Sequence, residues 1–268
     1  VTLAGRAADI LATALPEEKS KLTRKLYEDW KAGRVLEIGK ASPPPRPARP
    51  PRPELKPPRD MPKRSTGGVK GLTGLLHALA HIELNAIDLA WDIIARFADQ
   101  DLPKAFFDDW ARVAFDEAEH FDALAGHLSA LGAAYGDLPA HDGLWQAAEK
   151  TSHDIMDRLA LVPMTLEARG LDTTPATLVK LERDGHKSAV PALAIILADE
   201  IRHVAAGTRW FRFLCERNNI ADPAAEYRRR LAPHFPQGPR PPFNVLARAK
   251  AGLGPEFYDW QASPASSP

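Results

Sequence analysis

Two stretches of the chain set a glutamate three residues ahead of a histidine: DEAEH carries Glu117 and His120, and DEIRH carries Glu200 and His203. On a helix that spacing turns both side chains out of one face, so each pair can hold one metal ion. One such motif is weak evidence, because chance supplies it readily. Its repetition and placement carry more. Glu83 precedes Glu117 by 34 positions, and Glu167 precedes Glu200 by 33. The order is therefore E, ExxH, E, ExxH. The neighbours three and four positions from these acids are apolar: Leu79, Ala80, Ala86 and Ile87 around Glu83, Val113, Ala114 and Phe121 around Glu117, and Ile196, Leu197 and Val204 around Glu200. A carboxylate centred on an apolar stripe is buried on folding, which costs several kcal/mol unless it is paired or bound to a cation. Four such glutamates facing one another repel, and two divalent ions cancel their charge.

One lone glutamate from each of two helices and one ExxH motif from each of two others is the donor arrangement of the ferritin-like di-iron and di-manganese carboxylate bundles. The predicted metal ligands are Glu83, Glu117, His120, Glu167, Glu200 and His203. Oxygen donors with two imidazoles suit iron, with manganese as the alternative, better than zinc or copper. Asp116 and Asp199 each stand one residue before a ligand glutamate. A metal-bound histidine donates its other N–H to a carboxylate, so Asp116 is expected to serve His203 and Asp199 to serve His120. No catalytic residue is assigned beyond the ligands. His77 and His81, an i, i+4 pair, are read as packing or capping groups, Asn85 and Asp88 as polar contacts to neighbouring elements, and Cys215 as a small core residue.

These residues need four long helices to position them. The first is expected at about Gly71–Ala98 and the second at about Lys104–Leu131, between Pro103 and Gly132. A third is expected at about Leu144–Arg169, bent at Pro163 and ended by Gly170. A fourth ends near Glu216 after a break at Asp184-Gly185 and a restart near Ala189, with Pro175 as its earliest start. Short links within each pair and a longer connection, YGDLPAHDG, between them suit a bundle with one crossover.

Around this core the prolines are unevenly spread. Of 25 in the chain, ten fall between Pro43 and Pro62. Proline fixes φ and removes a donor, so that stretch is neither helix nor central strand. The predicted organisation is an N-terminal helical pair over residues 1–40, a Pro/Arg-rich strap over 41–70, a four-helix bundle over 71–217, and an extended C-terminal tail over 218–268 packed on the bundle. Within the tail a short helix is expected at Val245–Ala251, Phe257 and Trp260 are expected to anchor, and residues 263–268 to fray. The fold class is all-α.

Thirty-five basic and 35 acidic residues give no net charge, which asks for neither nucleic acid nor an anionic membrane surface. The strap's arginines lack the interleaved aromatics of a nucleic-acid arm. No apolar run reaches the roughly 18–20 residues of a membrane span, and the first residues do not read as a signal peptide. With a single cysteine, a cytoplasmic protein is expected. Monomer and homodimer both remain open.

The strings HALAHIELNAIDLAWD, DEAEHF, YGDLPAHDGLW, RLALVPMTLEARGLD, DEIRHVAAG and PPFNVLARAKAG resemble a large bacterial family of ferritin-like proteins known mainly as a domain of unknown function. The resemblance covers most of the chain and implies a bundle with a di-iron site, without a substrate. More distantly the layout resembles the tRNA-modifying di-iron hydroxylases, an analogy of fold. Three functions fit. The first is an O2-dependent oxidase or monooxygenase of a small organic molecule. The second is a ferroxidase, iron-handling or peroxide-detoxifying protein, disfavoured as a storage cage by the additions of about 70 and 50 residues flanking the bundle. The third is a binding protein with a structural metal.

Overall fold

The computed structural model describes residues 2–61 and 66–260. Residues 62–65 of the strap and the chain end expected to fray, residues 263–268, lie outside them. Among the described residues every regular element is a helix, apart from one isolated parallel bridge between Leu55 and Ala140. The all-α expectation holds, and no described helix is long and apolar enough to cross a membrane. The chain divides into two compact units, residues 1–150 with 180–192, and residues 151–179 with 193–268.

In the first unit, α1 (Leu3–Leu11) and α2 (Pro16–Lys31) form the expected N-terminal pair. Thr2 caps α1 by accepting the N–H of Gly5, and Pro16 opens α2 where a missing donor is harmless. Gly33 ends it at φ 69°, a value costly for a residue with a Cβ. α1 packs on α3 (Gly68–Arg96) and α2 on α4 (Lys104–Ala130). α3 and α4 make the tightest helix pair of the unit and carry a nearly continuous buried face from Leu72 to Ala95 and from Phe106 to Leu128.

The strap is fastened over this pair by charges. Arg49 reaches Asp88 Oδ2 at 2.7 Å and donates to Asn85 Oδ1 at 2.7 Å. The other oxygen of Asp88 accepts from Lys19 of α2. All of Lys19 and Asp88 is buried, and burial is the main reason the Lys19 ammonium titrates below its usual range. Arg46 pairs with Asp142 and Glu149 of the segment that carries α5 (Gly143–Lys150). The backbone of Lys56 donates to Ala140 and that of Ala140 to Glu54.

In the second unit, α6 begins at Ile155, where Asp154 accepts the N–H groups of Met156 and Asp157. It leads into a π-helical segment, Val162–Glu167, and then into α7 (Ala168–Arg183). The sequence expectation of one helix from Leu144 to Arg169 is corrected. α5 is separate, Asp154 starts the next helix, and that helix passes Gly170 and Pro175 without stopping, so the Pro175 stretch belongs to it and not to the fourth helix. Pro163 brings no N–H to the ladder, and the chain accommodates it by widening a turn instead of breaking. Thr165 Oγ1 donates to the carbonyl of Ala160, five residues back, at 2.7 Å. α8 (Val190–Arg217) starts after a turn at Gly185, φ 83°, as expected.

The C-terminal tail folds onto this unit through α9 (Pro223–Leu231), α10 (Val245–Lys250) and α11 (Pro255–Tyr258). Arg248 of α10 forms a buried pair with Asp172 of α7, Nη2 to Oδ2 2.7 Å and Nε to Oδ1 2.9 Å, its guanidinium 4.5 Å from the Tyr258 ring centre. Asn244 caps α10 and also donates to the carbonyl of Leu171. Phe257 is fully buried.

Candidate metal centre

Glu83 lies midway along α3, and Glu117 and His120 lie midway along α4. The apolar faces that pack these helices together carry the three side chains inward with them, leaving 2 %, 0 % and 2 % of their surfaces exposed. His120 Nδ1 is 3.3 Å from Glu83 Oε2 and 3.2 Å from Glu117 Oε2. One donor atom from each residue lies within 4.8 Å of the other two, close enough to share one ion. Burial, then the neighbouring charge of Glu117, hold the Glu83 carboxyl well above the usual carboxylate range. Without a cation, one of these acids keeps its proton; a divalent ion would displace it and neutralise both.

In the second unit, Glu200 and His203 share one face of α8, with His203 Nδ1 3.8 Å from Glu200 Oε2. His203 is buried and Glu200 partly so. Glu167 is the last residue of the π-helical segment. Among the described residues it does not join Glu200 and His203 in a three-donor cluster of the same tightness. π-Helical turns recur at functional sites because the extra residue re-aims the side chains that follow. The segment is seated against α8 at Gly207, where a Cβ would stand 2.6 Å from Pro163 Cβ.

Asp116, buried, accepts from Arg112 Nε at 2.8 Å, and Asp199 pairs with Arg202 at 2.6 Å. Each therefore has a cation beside it on its own helix. The donors are carboxylate oxygens and imidazole nitrogens with no thiol among them, since Cys215 is buried elsewhere in α8; burial lifts its thiol to about 11. That donor set fits iron or manganese.

Sequence reasoning passed over what surrounds His77 and His81. His77 Nε2 accepts the N–H of Gly136 at 2.9 Å; His81 Nδ1 meets the Tyr135 hydroxyl at 2.8 Å and its Nε2 the carbonyl of His141 at 3.1 Å. The pair holds the connection after α4, as a packing and capping role requires, and it also forms one wall of a cavity. The signal was present in the glycines at 71 and 74, on the same stripe of α3.

An all-helical chain with a buried cluster of two glutamates and a histidine between paired helices defines, as a class, a helical protein with a candidate metal-binding core. The chain belongs to the family described as protein of unknown function (DUF455), whose model matches residues 12–259. It is similar to an uncharacterized protein of Haemophilus influenzae, 43 % identical over 220 residues that make up 78 % of this chain and 76 % of that protein. No solved structure matches it.

Proposed function

We propose that the chain is a ferritin-like di-metal protein, with Glu83, Glu117, His120, Glu167, Glu200 and His203 as ligands to two iron ions, manganese being the alternative, and that it acts as an O2-dependent oxidase or monooxygenase on a small organic substrate. The observation that carries the reading is the buried cluster of Glu83, Glu117 and His120. Two carboxylates held together out of water are costly to keep without a cation, and nothing in ordinary core packing calls for them. The repeated order of ligands along the sequence extends the reading to the second half of the set.

When bound, reduced iron would supply the electrons for reducing O2. The protein's own part is to bind and orient. Glu83 and Glu117 release a proton on loading, His120 and His203 each present one ring nitrogen, and Asp116 and Asp199 hold the imidazoles in place. The π-helical turn ending at Glu167 gives that carboxylate a setting unlike the other three.

The test is the metal content of protein purified without chelators, followed by optical spectra after Fe(II) and then air are added. About two irons per chain, with a new absorption on oxidation and oxygen uptake that needs an organic substrate, supports the proposal. Rapid Fe(II) oxidation with a growing mineral would turn it toward iron handling. A single redox-silent ion would make the metal structural, and no uptake would overturn the reading.

A further inference from the structure

The first unit contains a cavity of about 570 Å³ between the N-terminal half of α3, the end of the strap at Pro58 and Met61, and the segment Leu138–His141. That volume lies in the range of sites for organic ligands. Three features of the wall point one way. Most of it is apolar, including Met61, Ala78, Ile82 and Leu138. Among the described residues no aspartate or glutamate lines it, and Lys70 is the one lysine or arginine that does. Lys70 is exposed.

The helix also keeps glycines where they cost it stability. Gly74 lies inside α3, where glycine is a poor helix former. A Cβ there would meet no atom within 4 Å, so close packing does not demand the glycine. What the missing side chain preserves is open space. His77, one turn away, accepts the Gly136 N–H at Nε2, so the neutral ring carries its proton on Nδ1 and offers a donor.

We propose that this cavity binds a small organic molecule with an apolar body and a single carboxylate, the body lying along Gly74, Ala78 and Ile82 and the carboxylate toward Lys70. The described wall offers a lysine and no acidic group, which favours an anion over a cation. Glu83 directly follows Ile82 on α3, so the occupant would lie alongside the helix that carries the candidate metal ligands. Binding itself does not depend on the metal reading, and its failure would leave that reading intact.

The experiment titrates the full chain with 8-anilinonaphthalene-1-sulfonate, an apolar fluorophore with one anionic group, and displaces it with decanoate or, as an uncharged control, 1-decanol. Saturable binding at one site, displaced more readily by decanoate, is expected. Lys70→Gln should weaken decanoate about two- to five-fold, the range for one exposed charge pair, and leave 1-decanol unchanged. Gly74→Trp fills the open space and should abolish both while the melting temperature holds. Failure of both the fluorophore and decanoate to bind overturns the proposal, as does binding that survives Gly74→Trp. Equal displacement by decanoate and 1-decanol with no effect of Lys70→Gln overturns the carboxylate assignment.

Discussion

Glu117 has no exposed surface and stands with Glu83 around one imidazole nitrogen. An ordinary core would have little use for it, and this gives a test that separates function from packing. Glu117→Gln keeps the shape and removes the charge. If the cluster is a metal site, the variant should lose at least one of two irons per chain, read by elemental analysis. The same variant, stripped of metal, should melt no lower than the stripped parent, because one of two repelling buried carboxylates is gone. A lower melting temperature in the metal-free comparison would make Glu117 a structural ion-pair partner instead. The residues of this cluster were legible in the sequence because glutamate and histidine at i, i+3 on an apolar stripe leave few alternatives. The cavity behind His77 was not, since it depends on the strap and on Leu138–His141 arriving at α3 from about 20 and 60 positions away in the chain, which periodicity does not report.

Among the elements, the third helix departs furthest from expectation. Gly170 reads as a stop and Pro175 as the earliest start of the next helix, yet one helix runs through both to Arg183. Local propensity is a weak prior that tertiary packing overrides. Here Arg248 and Asn244 of the tail bind Asp172 and Leu171, just past Gly170, and hold the helix in register. The π-helical turn was legible only as a bend at Pro163; its widening depends on the approach of α8. Gly207 makes that approach possible, so Gly207→Ala should lower stability by about 1–3 kcal/mol although alanine is the better helix former, because the rigid Pro163 ring cannot yield. A thermal or urea melt checks the sign, and a more stable variant would mean that the π segment shifts freely. The strap makes the complementary case. Its prolines and arginines announced an extended segment, and its attachment runs through Asp88, which faces both Lys19 and Arg49. Asp88→Ala leaves two cations without their shared anion, Lys19 buried, and should cost about 3–5 kcal/mol. A loss under about 1 kcal/mol would show that water reaches the cluster.

For the molecule as a whole, the proposed ligands would tie stability to metal. An ion that binds only the folded chain, present at about 100 times its dissociation constant, adds about 3 kcal/mol. At roughly 2–4 °C per kcal/mol for a chain of this size, each ion should raise the melting temperature by about 6–12 °C. The pH dependence gives the sign a second check. The folded, metal-free protein holds a proton on Glu83 above its unfolded value of 4.5. A raised carboxyl contributes stability that is complete below that unfolded value and is lost as pH rises through the folded one. The metal-free protein should therefore weaken toward neutral and alkaline pH. The loaded protein has already exchanged that proton for the cation, and its affinity grows as the competing proton leaves. The gap between loaded and stripped melting temperatures should widen from pH 5 to pH 8. Calorimetry of the two forms across that range measures it, and a constant or narrowing gap would separate the metal from Glu83 and Glu117. Neutral net charge and an all-helical build would then remain compatible with a protein that folds without any ion, and the buried carboxylates would need another partner.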